Sequence, residues 1–236
     1  MKLIQRHGYI EFLRRNRERS IIKVVSGIRR CGKSTLFRLF KDELLAEGVK
    51  PEQIISINFE ELEYEPLREY HALYQYILNQ MQPNQINYIF LDEIQHVDQF
   101  HRVVDSLFVK ENTDIYITGS NAYFMSSDIA TLLTGRYVEI QMLPLSFAEF
   151  YFSKYEEQQY SLIPAYEAYL RESSFPYTQQ LGGEDFDIQE YLRGLFNTLL
   201  LHDVVARLKI NDVMILQDIV RYIMANVGSL LSPNKI

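Results

Sequence analysis

Short runs of β-branched and aromatic residues alternate along the chain with longer stretches in which apolar residues recur every three or four positions. The runs Ile21 to Ser26, Gln53 to Phe59, Asn87 to Leu91, Asp114 to Thr118 and Tyr137 to Met142 predict five strands. Ser34 to Glu47, Leu67 to Gln80, Phe100 to Val109 and Ala122 to Leu132 predict helices between them. Strands separated by helix-length stretches pair through βαβ crossovers, so the pattern predicts an α/β fold with a five-stranded, mostly parallel sheet.

The strand pattern stops at Pro144. Helical periodicity takes over at Ser146 to Tyr160, Pro164 to Ser173, Ile188 to Leu208 and Asp212 to Val227, dividing the chain into a core, residues 1–145, and a smaller all-α lid region, residues 146–236. The aromatic side chains crowded between Phe147 and Tyr191 fit helix packing better than a dedicated ligand site. Ser232 to Ile236 read as a helix start, with Ser at the N-cap and Pro at the first helical position, but no helix body follows; the chain is therefore expected to be a fragment.

Composition narrows the class. With 236 residues, 47% of them apolar and 23% charged, the chain can bury a substantial core. Its single cysteine, Cys31, can form no internal disulfide, and no apolar stretch approaches the roughly 18 residues that cross a bilayer. A cytoplasmic protein without a membrane segment is expected. Charge is uneven: 12 of the 24 Lys and Arg but only two of the 31 acids lie in residues 1–41, giving that segment +10 and the remainder −17. The overall acidity argues against generic polyanion binding, and Arg29, Arg30 and Lys33 belong to a glycine-bounded loop.

That loop is Gly27-Ile28-Arg29-Arg30-Cys31-Gly32-Lys33-Ser34, which matches GxxxxGK[ST] between a predicted strand and a predicted helix. Glycines at its two ends let backbone N–H groups wrap phosphate oxygens, Lys33 reaches the β and γ phosphates, and the helix that includes Ser34 and Thr35 adds a favourable dipole. Ser34 supplies a hydroxyl for Mg²⁺. A second element, Tyr88-Ile89-Phe90-Leu91-Asp92-Glu93, is an apolar strand ending in two acids at the edge where open α/β sheets bind ligands. Asp92 there suits Mg²⁺, and Glu93 suits a general base that polarises water.

Two further strands carry polar ends. Ile115 to Asn121 delivers Ser120 and Asn121 to the same edge, and Asn121 is the better candidate to orient water and sense a γ-phosphate; both residues equally suit a helix cap. Arg136, before the fifth strand, is a candidate to stabilise transition-state charge in its own site or a neighbour's, or else a surface ion pair. Glu60 reads as a solvated acid. Arg30, Lys33 and the helix start are expected to lower the Cys31 thiol pKa, yet no histidine pattern supports a nucleophilic dyad. His7, His71, His96, His101 and His202 show no metal-binding spacing.

Taken together, GIRRCGKSTL, IFLDEIQ, ITGSNA and LTGRYVEIQMLPLSFAEF resemble the prokaryotic AAA+-superfamily predicted ATPases, related to archaeal and STAND-type P-loop NTPases. The resemblance runs end to end. It implies a basic lead-in helix over Tyr9 to Arg19, a P-loop ATPase core, a helical lid, the start of a winged helix and a further C-terminal domain beyond this chain. It also implies ATP rather than GTP, consistent with the lack of an [NT]KxD guanine-reading motif. Ser173-Ser174 replaces a glycine pair of the family and His202 a lysine, so those positions inherit no direct nucleotide role.

These readings converge on Mg²⁺-dependent ATP binding and hydrolysis coupled to lid movement. The alternative is a nucleotide-gated switch with little turnover that acts on a DNA or protein partner through the lid or the missing C-terminal region. The Arg14-Arg15-Asn16-Arg17-Glu18-Arg19 stretch suits phosphate contacts, but it also suits a solvated helix. Oligomeric state stays open.

Overall fold

The computed structural model describes residues 4–120, 133, 135–155, 160–181, 185–199, 205, 212–229 and 232. Helix α1 (His7–Asn16) precedes β1 (Ile22–Gly27), α2 (Lys33–Ala46), β2 (Ile54–Asn58), α3 (Tyr70–Gln80), β3 (Asn87–Asp92), α4 (Phe100–Phe108), β4 (Thr113–Ser120) and β5 (Tyr137–Met142). The strands form one sheet in the order β2-β3-β4-β1-β5, every neighbouring pair parallel. The mixed character that "mostly parallel" allowed for is absent among the described strands.

Alternation along the strands sends side chains to opposite faces. Ile22 and Val24 of β1, Ile89 and Leu91 of β3, and Ile115 and Ile117 of β4 join one cluster with α3 and α4. Val25, Tyr88, Phe90 and Tyr116 join another with α1 and α2. Phe90 and Tyr116 stack at 4.7 Å, and Phe37 meets the Phe90 ring edge-on at 5.2 Å. Helix α1 contributes Ile10, Phe12 and Leu13 to this second core.

The register sets the working edge. Gly27 lies opposite Ser120 on one side and Met142 on the other, and Asn58 lies opposite Asp92. After β1 the chain crosses to the far side of the sheet to build β2, so the loop following β1 sits where strand order reverses, the usual ligand crevice of such sheets. At the other edge lies a buried polar knot: Lys23 pairs with Asp114, which also accepts from Tyr116 Oη at 2.7 Å and from the Glu18 N–H at 2.9 Å.

Helices α5 (Phe147–Tyr155), α6 (Leu162–Glu172), α7 (Asp185–Thr198) and α8 (Val213–Ala225) follow. One segment departs from expectation: Leu62–Arg68 is a 3-10 turn carrying Pro66, and α3 starts at Tyr70, where Glu69 caps it by accepting the His71 and Ala72 N–H groups. The expected helices Ala122 to Leu132 and the far end of Ile188 to Leu208 lie outside the described residues, as does most of the terminal Ser232 to Ile236 segment. The chain divides into two compact units, Met1–Asp185 and Phe186–Ile236, later than the 145/146 division expected from loss of strand pattern. The reason is packing: Leu145, Phe150 and Ala168 cluster with Ile4, and the Leu145 N–H donates to Ser174 O at 2.7 Å.

Candidate nucleotide site

The loop between β1 and α2 is shaped by two glycines for different reasons. A Cβ on Gly27 would lie 2.5 Å from Met142 O and 2.9 Å from Cys31 Sγ, so only glycine fits against β5. Gly32 has φ of 106°, a conformation that side chains disfavour, and there the chain turns into α2. No side chain caps α2, which leaves its first N–H groups available to an anion. Arg30 also has positive φ, 66°, and is exposed, whereas Cys31 is buried within the loop. Ile28 and Arg29 are partly exposed. Burial pushes the Cys31 thiol up, against the expected lowering, because desolvation outweighs Lys33 and Arg6; the thiol is inert packing.

Lys33 is 4% exposed, donates to Gly27 O at 3.1 Å, and lies 3.1 Å from Glu93 Oε1. Its ammonium is thus held across the mouth of the loop by a carbonyl and a carboxylate. Asp92 ends β3 beside Thr118 of β4. The Thr118 hydroxyl donates to Asp92 and accepts the Glu93 N–H at 2.9 Å, fixing both acids from one neighbouring strand. Glu93 has φ of 53° and ψ of 48°, a left-handed conformation that costs a non-glycine residue roughly 1–2 kcal/mol. Gln95, on the short turn that follows, donates its amide N–H to the other Glu93 oxygen.

Burial raises the Asp92 pKa from its ordinary value; hydrogen bonds from Ser34 and Thr118 oppose this, the Glu93 charge adds to it, and Lys33 opposes it. A desolvated carboxylate beside a serine hydroxyl is a hard-oxygen pair suited to Mg²⁺, which needs few protein ligands because phosphates and waters complete its octahedron. Among the described residues, no group of three or more His, Cys, Asp or Glu side chains could hold a metal ion, as such a two-residue site requires. Ser34, Thr35 and Asp92 line one end of a cleft of about 420 Å³, whose other walls include Arg38, Lys41, Asn58 and Glu61.

The structure therefore brings Gly27, Gly32, Lys33, Ser34, Asp92 and Glu93 to one edge. Asn121 lies outside the described residues; Ser120, buried at the end of β4, stands beside Gly27. Arg136 is elsewhere. Its carbonyl accepts the Ile22 N–H at 2.9 Å at the start of β1, five residues of strand from Gly27 or about 17 Å at ~3.3 Å per residue. It faces Asp105 at 3.9 Å and the Phe108 ring. It does not reach its own nucleotide loop. Glu60 is exposed, as a solvated acid should be.

Two participants escaped the motif reading. Thr118 could have been found from strand adjacency, since Leu91 pairs with Ile117 and the next residues must meet. Arg6 left no local signal. It is buried, donating to Cys31 O at 3.3 Å, Leu143 O at 2.7 Å and Pro144 O at 3.2 Å, and it forks onto both oxygens of Glu149 at 2.9 Å. Although burial works against it, that guanidinium keeps the Glu149 pKa low. Arg14 and Arg17 are engaged as well, with Glu43 and Glu47 respectively, which favours the structural reading of the basic lead-in.

No helix among the described residues is long and apolar enough to cross a membrane. The chain is 38% identical over 237 residues to an uncharacterized protein of Haemophilus influenzae, covering 99% of this chain and 58% of that protein. It is 32% identical over 224 residues to an uncharacterized protein of Methanocaldococcus jannaschii, covering 87% of this chain and 47% of that protein. It thus spans about half the length of these relatives. A Walker-type ATPase of Pyrococcus abyssi superposes with a TM-score of 0.54 at 17% identity, over 95% of this chain and 77% of that one, a likeness of fold. A family model described as an AAA domain matches residues 19–151, which hold the nucleotide loop and both acids of β3, and the chain belongs to that family.

Proposed function

We propose that this chain is a Mg²⁺-dependent ATPase module that cleaves the β–γ phosphoanhydride of ATP to give ADP and phosphate. The observation that carries the reading is the convergence of Lys33 and Glu93, 3.1 Å apart, at the mouth of the glycine loop. The loop amides and the open start of α2 bind the phosphates, and Lys33 exchanges Glu93 for the β and γ oxygens. Mg²⁺, held by Ser34 and Asp92, neutralises charge on those oxygens when bound. Glu93 takes a proton from water as its oxygen attacks the γ-phosphorus.

Arg6, reaching from the loop carbonyl of Cys31 to Glu149 on α5, supports a path by which nucleotide state moves the helical lid. The distance of Arg136 from the loop limits any catalytic part to a neighbouring copy's site. A DNA or protein partner engaged through the helical region or through sequence beyond this chain would be what the cycle serves.

The test is steady-state hydrolysis of Mg-ATP by the wild type, Lys33→Ala and Glu93→Gln, with nucleotide affinity measured on each. The expected result is loss of turnover in both variants, weakened binding in Lys33→Ala, and retained binding in Glu93→Gln. Binding without Glu93-dependent turnover overturns hydrolysis and leaves a nucleotide-gated switch.

A further inference from the structure

Of the three polar side chains in Leu91-Asp92-Glu93-Ile94-Gln95, Gln95 alone has no task in the ATPase reading. The left-handed Glu93 and the turn Ile94–His96, closed by the His96 N–H on Glu93 O at 3.2 Å, fold the chain back on itself. The Gln95 carboxamide thereby meets the Glu93 carboxylate and donates its Nε2–H to Oε2. Chemistry fixes the orientation: an ionised carboxylate only accepts, so the NH₂ end of the amide must face it.

The other end of the amide argues against a structural role. Gln95 Oε1 is buried and accepts no hydrogen bond from the described residues. An amide kept for packing or bracing satisfies both ends, because an unpaired buried acceptor is costly. The bond to Glu93 is what this side chain is placed to make. The two oxygens of Glu93 are divided, Oε1 to Lys33 and Oε2 to Gln95, while Thr118 holds only the main-chain N–H. Once Lys33 turns to phosphate, Gln95 is the remaining described anchor of the carboxylate.

We propose that Gln95 is a positioning residue for ATP hydrolysis, its amide N–H holding one carboxylate oxygen of Glu93 so that the other stays aimed at the attacking water. This rests on Glu93 being the general base. An unanchored carboxylate still binds nucleotide normally but spends less time aligned for proton transfer, so the loss falls on kcat rather than on KM.

The experiment uses the full chain and Mg-ATP, comparing wild type, Gln95→Met, Gln95→Glu, Glu93→Gln and the Glu93→Gln/Gln95→Met double variant, by steady-state and single-turnover hydrolysis with nucleotide affinity alongside. Methionine keeps the volume without the donor; glutamate keeps the shape and replaces the donor with a second acceptor. Both should lose at least about tenfold in kcat with KM and affinity within about twofold of wild type, and Gln95→Met should cause no further loss when Glu93 is already Gln. Retained kcat in both Gln95 variants, or an equal loss in the Glu93→Gln background, overturns the positioning role while leaving the general base intact. Full turnover by Glu93→Gln instead overturns the general-base reading itself.

Discussion

The ammonium of Lys33 lies 3.1 Å from Oε1 of Glu93, with both side chains more than nine-tenths buried. One cation therefore answers to two anions, the carboxylate of the base and the phosphates that the loop is built to hold. A bound phosphate must win Lys33 from Glu93, and the same exchange releases the oxygen that meets water. Base and binding site are linked by competition.

Removing the competitor should strengthen binding. Glu93→Gln is expected to tighten nucleotide affinity by about 1 kcal/mol, roughly fivefold, while turnover falls. Isothermal titration calorimetry with ATP on wild type and variant reads the difference directly. Weaker binding by the variant would show that the pair does not restrain Lys33.

Asp92 gives a dependence on pH whose sign can be worked out. Burial raises its pKa above 3.8, so the folded chain holds this proton more tightly than the unfolded chain does. Its contribution to stability is present at low pH and is lost as pH rises from about 3.8 through the raised folded value, leaving a buried charge at neutrality. Asp92→Asn, which keeps an oxygen for Thr118, should melt higher than wild type at pH 7 by a few degrees, converge with it in acid, and lose Mg²⁺-dependent hydrolysis. Thermal melts from pH 4 to 7 check this; a lower melting temperature at pH 7 contradicts it.

Thr118 satisfies one acid by donating and the main chain of the other by accepting. Thr118→Val keeps the shape and strips both bonds, at an expected cost of about 2–3 kcal/mol. Thr118→Ser keeps the hydroxyl and should recover most of the stability and turnover. Chemical denaturation and hydrolysis on the two variants test the pairing, and equal losses in both would assign the effect to packing.

Gly27 and Gly32 should fail differently. Gly27→Ala drives a methyl to 2.5 Å from Met142 O, displacing β5 from the loop, so both melting temperature and nucleotide binding should fall sharply. Gly32→Ala meets only the Met142 Cε at 3.5 Å, and its penalty is the backbone strain of φ 106°, about 1–2 kcal/mol. A milder loss of stability with weakened nucleotide binding is expected from the second. Melts with and without ATP separate the two.

What could be read from the sequence was what lies along it. The strands and most of the helices announced themselves by period, and the glycine loop, Lys33, Ser34, Asp92 and Glu93 by spacing within short segments. Contacts that depend on which strands lie side by side were hidden: Thr118 reaches Asp92 because β4 neighbours β3. Pro66 shortened an expected helix through a turn that its apolar pattern did not register. The edge at which Arg136 stands was implicit, since a residue preceding a parallel strand cannot lie at the carboxyl end of the sheet. Arg6 was invisible, because it meets carbonyls and Glu149 far along the chain.

The segment before β1 carries a last consequence. Kinship is recognised over residues 19–151, but the unit that folds begins earlier, since Ile10, Phe12 and Leu13 fill the same core as Phe37 and Phe40. Arg6 meanwhile fastens the loop to the exit of β5 and to Glu149. A protein trimmed to its family boundaries would keep every signature residue yet lose a wall of the room in which they work, so inherited signature and self-sufficient fold end at different places.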